Sequence, residues 1–510
     1  MRVAIIGGGM AGLSTAYYLL HRADHRERLE VRLYEALDRF GGVVRTVRQQ
    51  GYLLDLGPDS IFTVKPEGLA LARELGLEEQ LLPAHTGLPV HILWEGKLHP
   101  LPAGWSLIAP TRWRPFLGSS LLSLAGKARA ALEPLVPARR SDEEESVACF
   151  VRRRLGREVY ERIGDPLLAG IHAADPERLS IQATFPRLPA LEQQHGSLIK
   201  GLHRQRRRDR RSAAAASSGG PPPPPFVSFK AGMEALVTRV SAAIDEMSPT
   251  TLCSGQKVTE LKLISPLPHK PPPGSTAARS SPEGLSSPKP GGNSSVAAAA
   301  GAYELRLASG SCWQADACVL ALPAAAAARL VASFDRRLAD ALLSIPYAST
   351  AAVYLGYPAS TIPAPLEGTG ILVPFSQGRQ VFGCTFVSRK FDGRAPAGAT
   401  LLRLFIGGRR RPHLLERSDE ELLQIARREV GELLGVVAEP ELTRLQRWPR
   451  ANPQYEVGHA GLVRTIDACL RRWPRLAIAG SCCRGVGIPD TIASGQQTAR
   501  AIADALGENP

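Results

Sequence analysis

The chain of 510 residues carries 62 Lys and Arg against 48 Asp and Glu, for a formal net charge of +14, and is 44% hydrophobic and 22% charged. That length exceeds what one core supports, so two or three domains are expected, and an ordinary soluble composition without a bilayer-spanning apolar run argues against an integral membrane protein. Much of the positive excess sits in the Arg204–Arg211 run and in the segment after Ser265, so it reads as solubilising linker and not as a nucleic-acid surface.

In chain order, Val3–Ile6 is a short apolar strand that breaks into "GGGMAG". It is too short for a secretion signal and implies a cytoplasmic protein. A helix follows with Leu13, Ala16, Tyr17 and Leu20 on one face. In this strand–turn–helix context Gly7 permits the tight turn, Gly9 lets a pyrophosphate approach the backbone, and Gly12 allows close helix–strand packing. The helix N-terminus adds amide donors and positive potential for a phosphate. A second strand, "LEVRLYEA", ends in Glu35, at the offset where an acid accepts from an adenosine ribose; its charge disfavours a 2′-phosphate.

Further along, leucine spacing predicts helices over Pro66–Leu81 and Asp419–Leu434, and "SVACFVRRRLGREVYERIGDPLLAGI" reads as a pair of helices. The segment Arg204–Pro225 passes from arginines through Ala/Ser/Gly to a proline run and reads as a disordered or extended linker. "KVTELKLI" and "YELRLAS" alternate like two strands of a hairpin whose turn is expanded by the Pro/Ser/Gly/Ala-rich Ser265–Ala302. Such an expansion is tolerable because closure entropy grows only logarithmically with loop length. "TAAVYLGY", "QVFGCTFVS" and "ATLLRLFIGG" read as strands, and "LAIAGSCCRGVGIPDTIASGQQTARAI" as strand, glycine-rich loop and helix, the helix beginning around Pro489–Asp490. The eight cysteines show no CxxC and no zinc spacing; they imply a reducing compartment, no metal site, and reduced thiols at the neighbours Cys482 and Cys483.

After Glu35 comes "ALDRFGGVVRT", then "GYLLDLGPDSIF". This arrangement resembles flavoproteins of the glutathione-reductase-like amine-oxidase superfamily. Nearly the whole chain outside the two low-complexity segments is similar to the protoporphyrinogen/coproporphyrinogen oxidases, the HemY-like porphyrinogen oxidases. The motifs that carry this are "LHPLPAG", "GDPLLAGIHAADPERLSIQATFPRL", "SFKAGMEALV", "WPRANPQYEVGH" and "GSCCRGVGIPDTIASG". The resemblance implies an α/β fold with an α+β substrate part: a discontinuous Rossmann-like FAD-binding domain of the glutathione-reductase/amine-oxidase type with inserted substrate and helical domains. The FAD-binding parts would be 1–84, 226–322 (with the insert 265–302) and 448–510; a helical, membrane-facing region would fill 85–225, and a substrate-binding sheet 323–447.

It further implies FAD as cofactor, with contacts from Gly7, Gly8, Gly9, Met10, Ala11, Gly12, Glu35, Ala36, Val43, Gly57, Pro58, Asp59, Ser60, Val258, Trp448, Val486, Gly487 and Ile488. Gly170, Ile171 and His172 would line the macrocycle slot, His172 as propionate partner, proton acceptor or plain pocket wall. Arg409–Arg411 are either carboxylate binders or a solvated charge run. The implied reaction is oxygen-dependent removal of six electrons from protoporphyrinogen IX or coproporphyrinogen III in haem biosynthesis, the flavin doing the hydride chemistry, so no catalytic acid, base or metal is nominated. Implied partners are the porphyrinogen and molecular oxygen, without nucleic acid, with peripheral contact at the inner face of the cell membrane through Arg204–Arg211; the oligomeric state is open. The alternatives are another flavin amine oxidase or a carotenoid desaturase-like oxidoreductase, and, in another class, a non-catalytic FAD-binding scaffold.

Overall fold

The computed structural model describes residues 1–510 except 23–28, 107–108, 111, 142, 216–223, 265–301, 474 and 508–510. In chain order, the elements that matter here are β1 (Arg2–Ile6), α1 (Met10–Arg22), β2 (Glu30–Tyr34), β3 (Tyr52–Asp55), β4 (Val90–Trp94), β5 (Lys97–Pro100), α2 (Asp165–His172) and α3 (Leu198–Ala215). They continue with β6 (Leu252–Cys253), β7 (Val258–Ile264), β8 (Ala302–Leu307), β9 (Cys312–Ala315), β10 (Ala317–Leu320), β11 (Tyr347–Pro358), β12 (Gly370–Leu372), β13 (Val381–Phe386) and β14 (Ala399–Gly407). The last are α4 (Asp419–Leu434), β15 (Leu442–Pro453), β16 (Leu476–Ile478) and α5 (Ile488–Leu506).

Val3, Ala4 and Ile5 are fully buried because β1 is the central strand of a parallel sheet covered on both faces. Its order is β6-β2-β1-β10-β16, so segments from four distant parts of the chain build one nucleotide-type sheet. Helix α1 is buried all round and not along one face only. The reason is α5, which lies along it with Gly495 pressed on the Ala11 carbonyl (an added Cβ would sit 2.7 Å away), and the helix Glu234–Met247 on another side. The expected hairpin forms: β7 and β8 pair antiparallel from Val258↔Leu307 to Ile264↔Ala302, and β9 completes that small sheet. The expanded turn lies outside the described residues.

The second large sheet has the order β15-β11-β14-β13-β12-β4-β5. One face, with Leu402, Leu404 and Ile406, packs under α4. The opposite face carries Leu401, Phe405 and Trp448 against Tyr52, Leu54 and Leu56 of the β3 region. Strands β4 and β5 come from the stretch read as helical and membrane-facing, and β15 runs across the 447/448 boundary between the expected domains. The helix expected over Pro66–Leu81 is shorter, Glu67–Glu74, because Gly76 turns left-handed at φ +70° and a 3-10 turn and short strand follow.

The residues 204–215 depart from expectation more sharply: they belong to helix α3 and not to an extended linker. The start of α3 is held by a tertiary acid. Glu133 accepts from the Leu198 and Ile199 amides at 2.9 and 3.2 Å and from the Ser197 hydroxyl at 2.5 Å. The rest of the proposed linker, 216–223, lies outside the described residues. No helix among the described residues is long and apolar enough to cross a membrane.

Candidate functional site

At the C-terminal ends of β1 and β2 the chain builds a cradle from backbone. Gly7 has φ +110° and its amide donates to the Tyr34 carbonyl at 2.8 Å. A Cβ on Gly7 would lie 2.3 Å from the Ala321 carbonyl oxygen, and one on Gly12 would lie 1.9 Å from the Gly7 oxygen. Those two glycines are therefore demanded by the fold. Gly9 differs, since a Cβ there would meet nothing within 4 Å. Glycine at that position leaves free space over the first turn of α1, as a close-lying phosphate needs. Gly8, Met10 and Ala11 complete the turn, Met10 and Ala11 buried beneath it.

Glu35 stands at the end of β2 with Oε2 accepting from the Gly8 amide at 2.7 Å and Oε1 from the Leu37 amide at 2.9 Å. Each carboxylate oxygen keeps a second lone pair for a ribose hydroxyl. The Gln256 amide donates to the Glu35 carbonyl at 2.7 Å and the Gly255 amide to that of Leu37 at 2.7 Å, so Val258 follows directly from the segment beside the acid. Ala36 and Val43 are exposed. Between them, Arg39 donates to the Gly42 carbonyl at 2.7 Å, and the Gly41 amide to the Gly8 carbonyl at 2.8 Å, which ties the second glycine pair to the first.

The strip continues to Gly57, where a Cβ would fall 1.8 Å from the Val43 oxygen. Next to it, Asp59 pairs with Lys390 at 2.9 Å and accepts from the Ser60 hydroxyl at 2.7 Å. Burial alone would raise the Asp59 carboxyl, but the charges of Lys390 and Arg403 bring it below its ordinary range. Val486, Gly487 and Ile488 open α5, capped by Asp490, whose Oδ2 accepts from the Gly487 amide at 3.0 Å. Asp490 also pairs with Lys65 at 2.5 Å, joining this loop to the chain just after Ser60. The structure thus brings the Gly7–Gly12, Glu35, Val43, Gly57–Ser60 and Val486–Ile488 groups into one continuous strip. These residues fit a bound dinucleotide: a loop with open space at Gly9, an acid with spare lone pairs, and two helix N-termini.

Trp448 lies on β15 of the second sheet. Its indole N–H donates to the Leu56 carbonyl at 2.9 Å, so it braces the strip from the substrate-side sheet. Sequence reasoning passed over Arg403 and Tyr354, which do the same work: Arg403 Nη2 donates to the Gly57 carbonyl at 2.7 Å, and the Tyr354 hydroxyl to the Asp55 carbonyl. The available signal was an arginine inside the otherwise apolar run "TLLRLFIGG".

On the far side, the last turn of α2 lies over the sheet, where a Cβ on Gly170 would come within 2.8 Å of the Leu372 side chain. Ile171 is 55% exposed. His172 stacks edge-on against Phe185, 5.5 Å between ring centres, and its Nε2 is buried without a partner. Burial pushes this imidazole down to about 4, the nearby Lys65 charge adding to the effect and Asp490 opposing it. Burial thus favours the neutral form of His172, which suits an acceptor or a pocket wall. A small cavity between α2 and the sheet is lined by Ala169, Ala173, Val373, Phe375 and Phe382 and by Arg409–Arg411.

In the Arg409–Arg411 run, Arg409 and Arg410 are engaged by acids of the protein, Arg411 has no acid within ion-pair distance among the described residues, and all three line the small cavity. Arg409 pairs with Glu456 at 2.8 Å; Arg410 pairs with Asp175 at 2.8 Å and with Asp165; Arg411 lies over the Phe375 ring at 4.6 Å. The run rivets α2 to the sheet. The thiols of Cys482 and Cys483 are reduced, with Sγ atoms 3.6 Å apart; their mutual hydrogen bond raises Cys482 and lowers Cys483. Among the described residues no cluster of His, Cys, Asp and Glu could hold a metal ion.

A family model described as flavin containing amine oxidoreductase matches residues 10–275 and 293–503. The Bacillus subtilis (strain 168) protein named coproporphyrinogen III oxidase is 31% identical over 99% of this chain and 97% of its own length. One of the same name from Propionibacterium freudenreichii subsp. freudenreichii is 37% identical over 99% of this chain and 91% of its own. The crystal structure of a protein from Exiguobacterium sp. 255-15, provisionally described as a protoporphyrinogen oxidase, superposes with a TM-score of 0.77 at 28% identity, covering 99% of each chain.

Proposed function

Because this chain belongs to the flavin containing amine oxidoreductases, we propose that it oxidises coproporphyrinogen III to coproporphyrin III in haem biosynthesis, using FAD and molecular oxygen. The observation that carries the substrate is the full-length likeness to two proteins named for that reaction. The geometry supports it through a small cavity, lined by apolar side chains and by Arg409–Arg411, between α2 and a sheet that also braces the dinucleotide strip.

FAD, when bound, supplies the hydride acceptor and passes electrons to oxygen. The chain's own residues bind, orient and enclose. The Gly7–Gly12 turn and the α1 N-terminus hold the phosphates, and Glu35 the ribose. Gly57–Ser60 and Val486–Ile488 would hold the flavin part, and the α5 N-terminus would supply positive potential that favours its reduced, more negative state. Gly170, Ile171 and His172 would form one wall of the slot, and Phe382, stacked on Phe405 at 5.7 Å between ring centres, would contribute to the other. These walls exclude water from a flat apolar macrocycle, and His172 Nε2 is free to accept a hydrogen bond.

The test uses the purified holoprotein with each reduced porphyrinogen in parallel, following porphyrin fluorescence and peroxide. Faster aromatisation of the four-carboxylate substrate is the expected result, with about three peroxides per porphyrin from the two-electron steps. Preference for the two-propionate substrate would move the assignment to protoporphyrinogen, and bound flavin with neither product above the spontaneous rate would sink the porphyrinogen reading. Peripheral contact with an anionic membrane is the second part of the proposal. It draws on Leu124 and Leu135, 84% and 77% exposed. Beside them runs the arginine-bearing α3, whose Lys200 reaches the Pro134 carbonyl at 3.5 Å. Unchanged co-sedimentation with anionic liposomes after Leu124→Ser and Leu135→Ser would remove it.

A further inference from the structure

Three neighbouring strands grip three successive carbonyls. Tyr354 on β11 holds Asp55, Trp448 on β15 holds Leu56, and Arg403 on β14 holds Gly57, the last two at 2.9 and 2.7 Å. From the other side the Gly57 turn is pressed against the Val43 carbonyl so closely that even a methyl has no room. The turn is thus held from both sides, with the substrate-side sheet as one of them.

Arg403 is the unusual member of this grip. It is 7% exposed, and no carboxylate among the described residues lies within ion-pair distance of it; the nearby Asp59 is taken by Lys390. Its guanidinium rests instead over the rings of Tyr354 and Phe405, at 5.3 and 4.6 Å, and its Nε is buried without a partner. Burying a charge with only two carbonyl acceptors, Gly57 at 2.7 Å and Leu56 at 3.5 Å, and two ring faces is expensive, and a buried donor left unmade adds about 1–3 kcal/mol. Packing alone would be served better by Leu or Met. Trp448 and Tyr354 already fix the adjacent peptides, so the grip does not require a cation either.

We propose that Arg403 is a positioning residue for the flavin reaction, one that fixes the Gly57–Ser60 turn against the cofactor and places a buried positive charge there that favours the reduced, more negative state. This rests on the reading of Gly57–Ser60 as cofactor contacts. Arg403 acts through the turn and needs no contact with substrate.

The experiment compares holoenzyme variants Arg403→Gln, which keeps a donor but no charge, and Arg403→Lys, which keeps the charge. Bound FAD, its visible spectrum, its reduction potential by dye-coupled titration, and kcat and KM are measured for each. Arg403→Gln should retain FAD but shift the two-electron equilibrium about tenfold toward the oxidised form, about 30 mV, with kcat down about tenfold and KM within about twofold. Arg403→Lys should recover the potential. A wild-type potential in Arg403→Gln, a raised KM with unchanged kcat, or equal damage in both variants overturns the proposal. The titration needs no porphyrinogen. FAD bound to an enzyme that oxidises neither porphyrinogen would sink the substrate reading while leaving the Arg403 shift measurable, and an unshifted potential in an active enzyme sinks Arg403 alone.

Discussion

At the scale of single residues, glycines of one motif carry different duties. Gly12 has the Gly7 oxygen where its Cβ would be, whereas Gly9 faces open space. Gly12→Ala should therefore unfold the β1–α1 unit, with a lower Tm even in apoprotein. Gly9→Ala should leave the apoprotein Tm within about 1 °C but weaken FAD binding at least about tenfold, read by flavin fluorescence on dilution. Equal apoprotein damage in both would refute the distinction. The spacing and the separate duties of Gly7, Gly9 and Gly12 were legible in the sequence; that the Ala321 carbonyl closes in Gly7 was not, because that residue follows a strand more than 300 residues later. His172 was likewise visible as a candidate but not its charge state. Its folded value of about 4 lies below the unfolded value near 6.5, so the unfolded chain binds the extra proton between those limits. The associated stability is complete above about pH 6.5 and is lost as pH falls toward 4, by up to about 3 kcal/mol. Urea midpoints across pH 4–7 should show this slope in the wild type and a flatter one in His172→Gln; parallel curves would show that His172 is not the titrating group.

At the scale of elements, local sequence misled where a tertiary partner sets the outcome. The run Arg204–Arg211 reads as a linker because like charges crowd it, yet Arg and Ala are good helix formers. The deciding cap is Glu133, some 65 residues earlier, reaching the Ser197–Ile199 turn. By contrast, Asp419–Leu434 was readable in full because Ser418 and Glu421 form a local capping box ahead of a leucine periodicity. The arginines 409–411 show the same limit as α3: the acids of Arg409 and Arg410 come from distant segments, those of Arg410 from the start of α2 and just beyond its end. Arg410 is the central rivet, since Asp165, buried at the start of α2, also accepts from the Phe375 amide at 2.9 Å. Burial raises the Asp165 carboxyl, and Arg410 opposes this. Arg410→Met should strand that acid and cost about 3–5 kcal/mol, seen as a lower urea midpoint. Because Asp165 then has reason to hold its proton, part of the loss should return as pH is lowered. A loss below about 1 kcal/mol would mean that α2 is held by apolar packing alone.

At the scale of the whole molecule, the nucleotide-type sheet is assembled from strands scattered between Arg2 and Ile478, and the substrate-side sheet from strands between Val90 and Pro453. Both ends of the chain carried glycine-rich strand–loop–helix signals, so a discontinuous domain closed by both termini was legible. The pairing of Val90–Pro100 into the distant sheet was not, because β12 accepts β4 in parallel across most of the helical region and no local pattern records that register. The two-part architecture makes a definite statement about the segment 265–301. Ile264 and Ala302 are directly opposed in the β7–β8 ladder, and that sheet packs on the outer side of the parallel one, with Leu261, Leu305 and Trp313 in the core formed around Ala4 and Leu320. The ladder end needs only a two-residue turn to close, and the Gly9–Gly57 strip is built from other segments. Replacing 265–301 by Asn-Gly should keep stoichiometric FAD, the same kcat for the preferred porphyrinogen, and a Tm no lower than the parent. Shortening the loop reduces its closure entropy by about 2 kcal/mol. The parent and deletion proteins are compared by flavin absorbance, thermal melting and porphyrin fluorescence. A deletion protein that keeps FAD and Tm but loses turnover would place function in the segment, and one that loses FAD would mean that the β7–β8 ladder does not hold Val258 in place by itself.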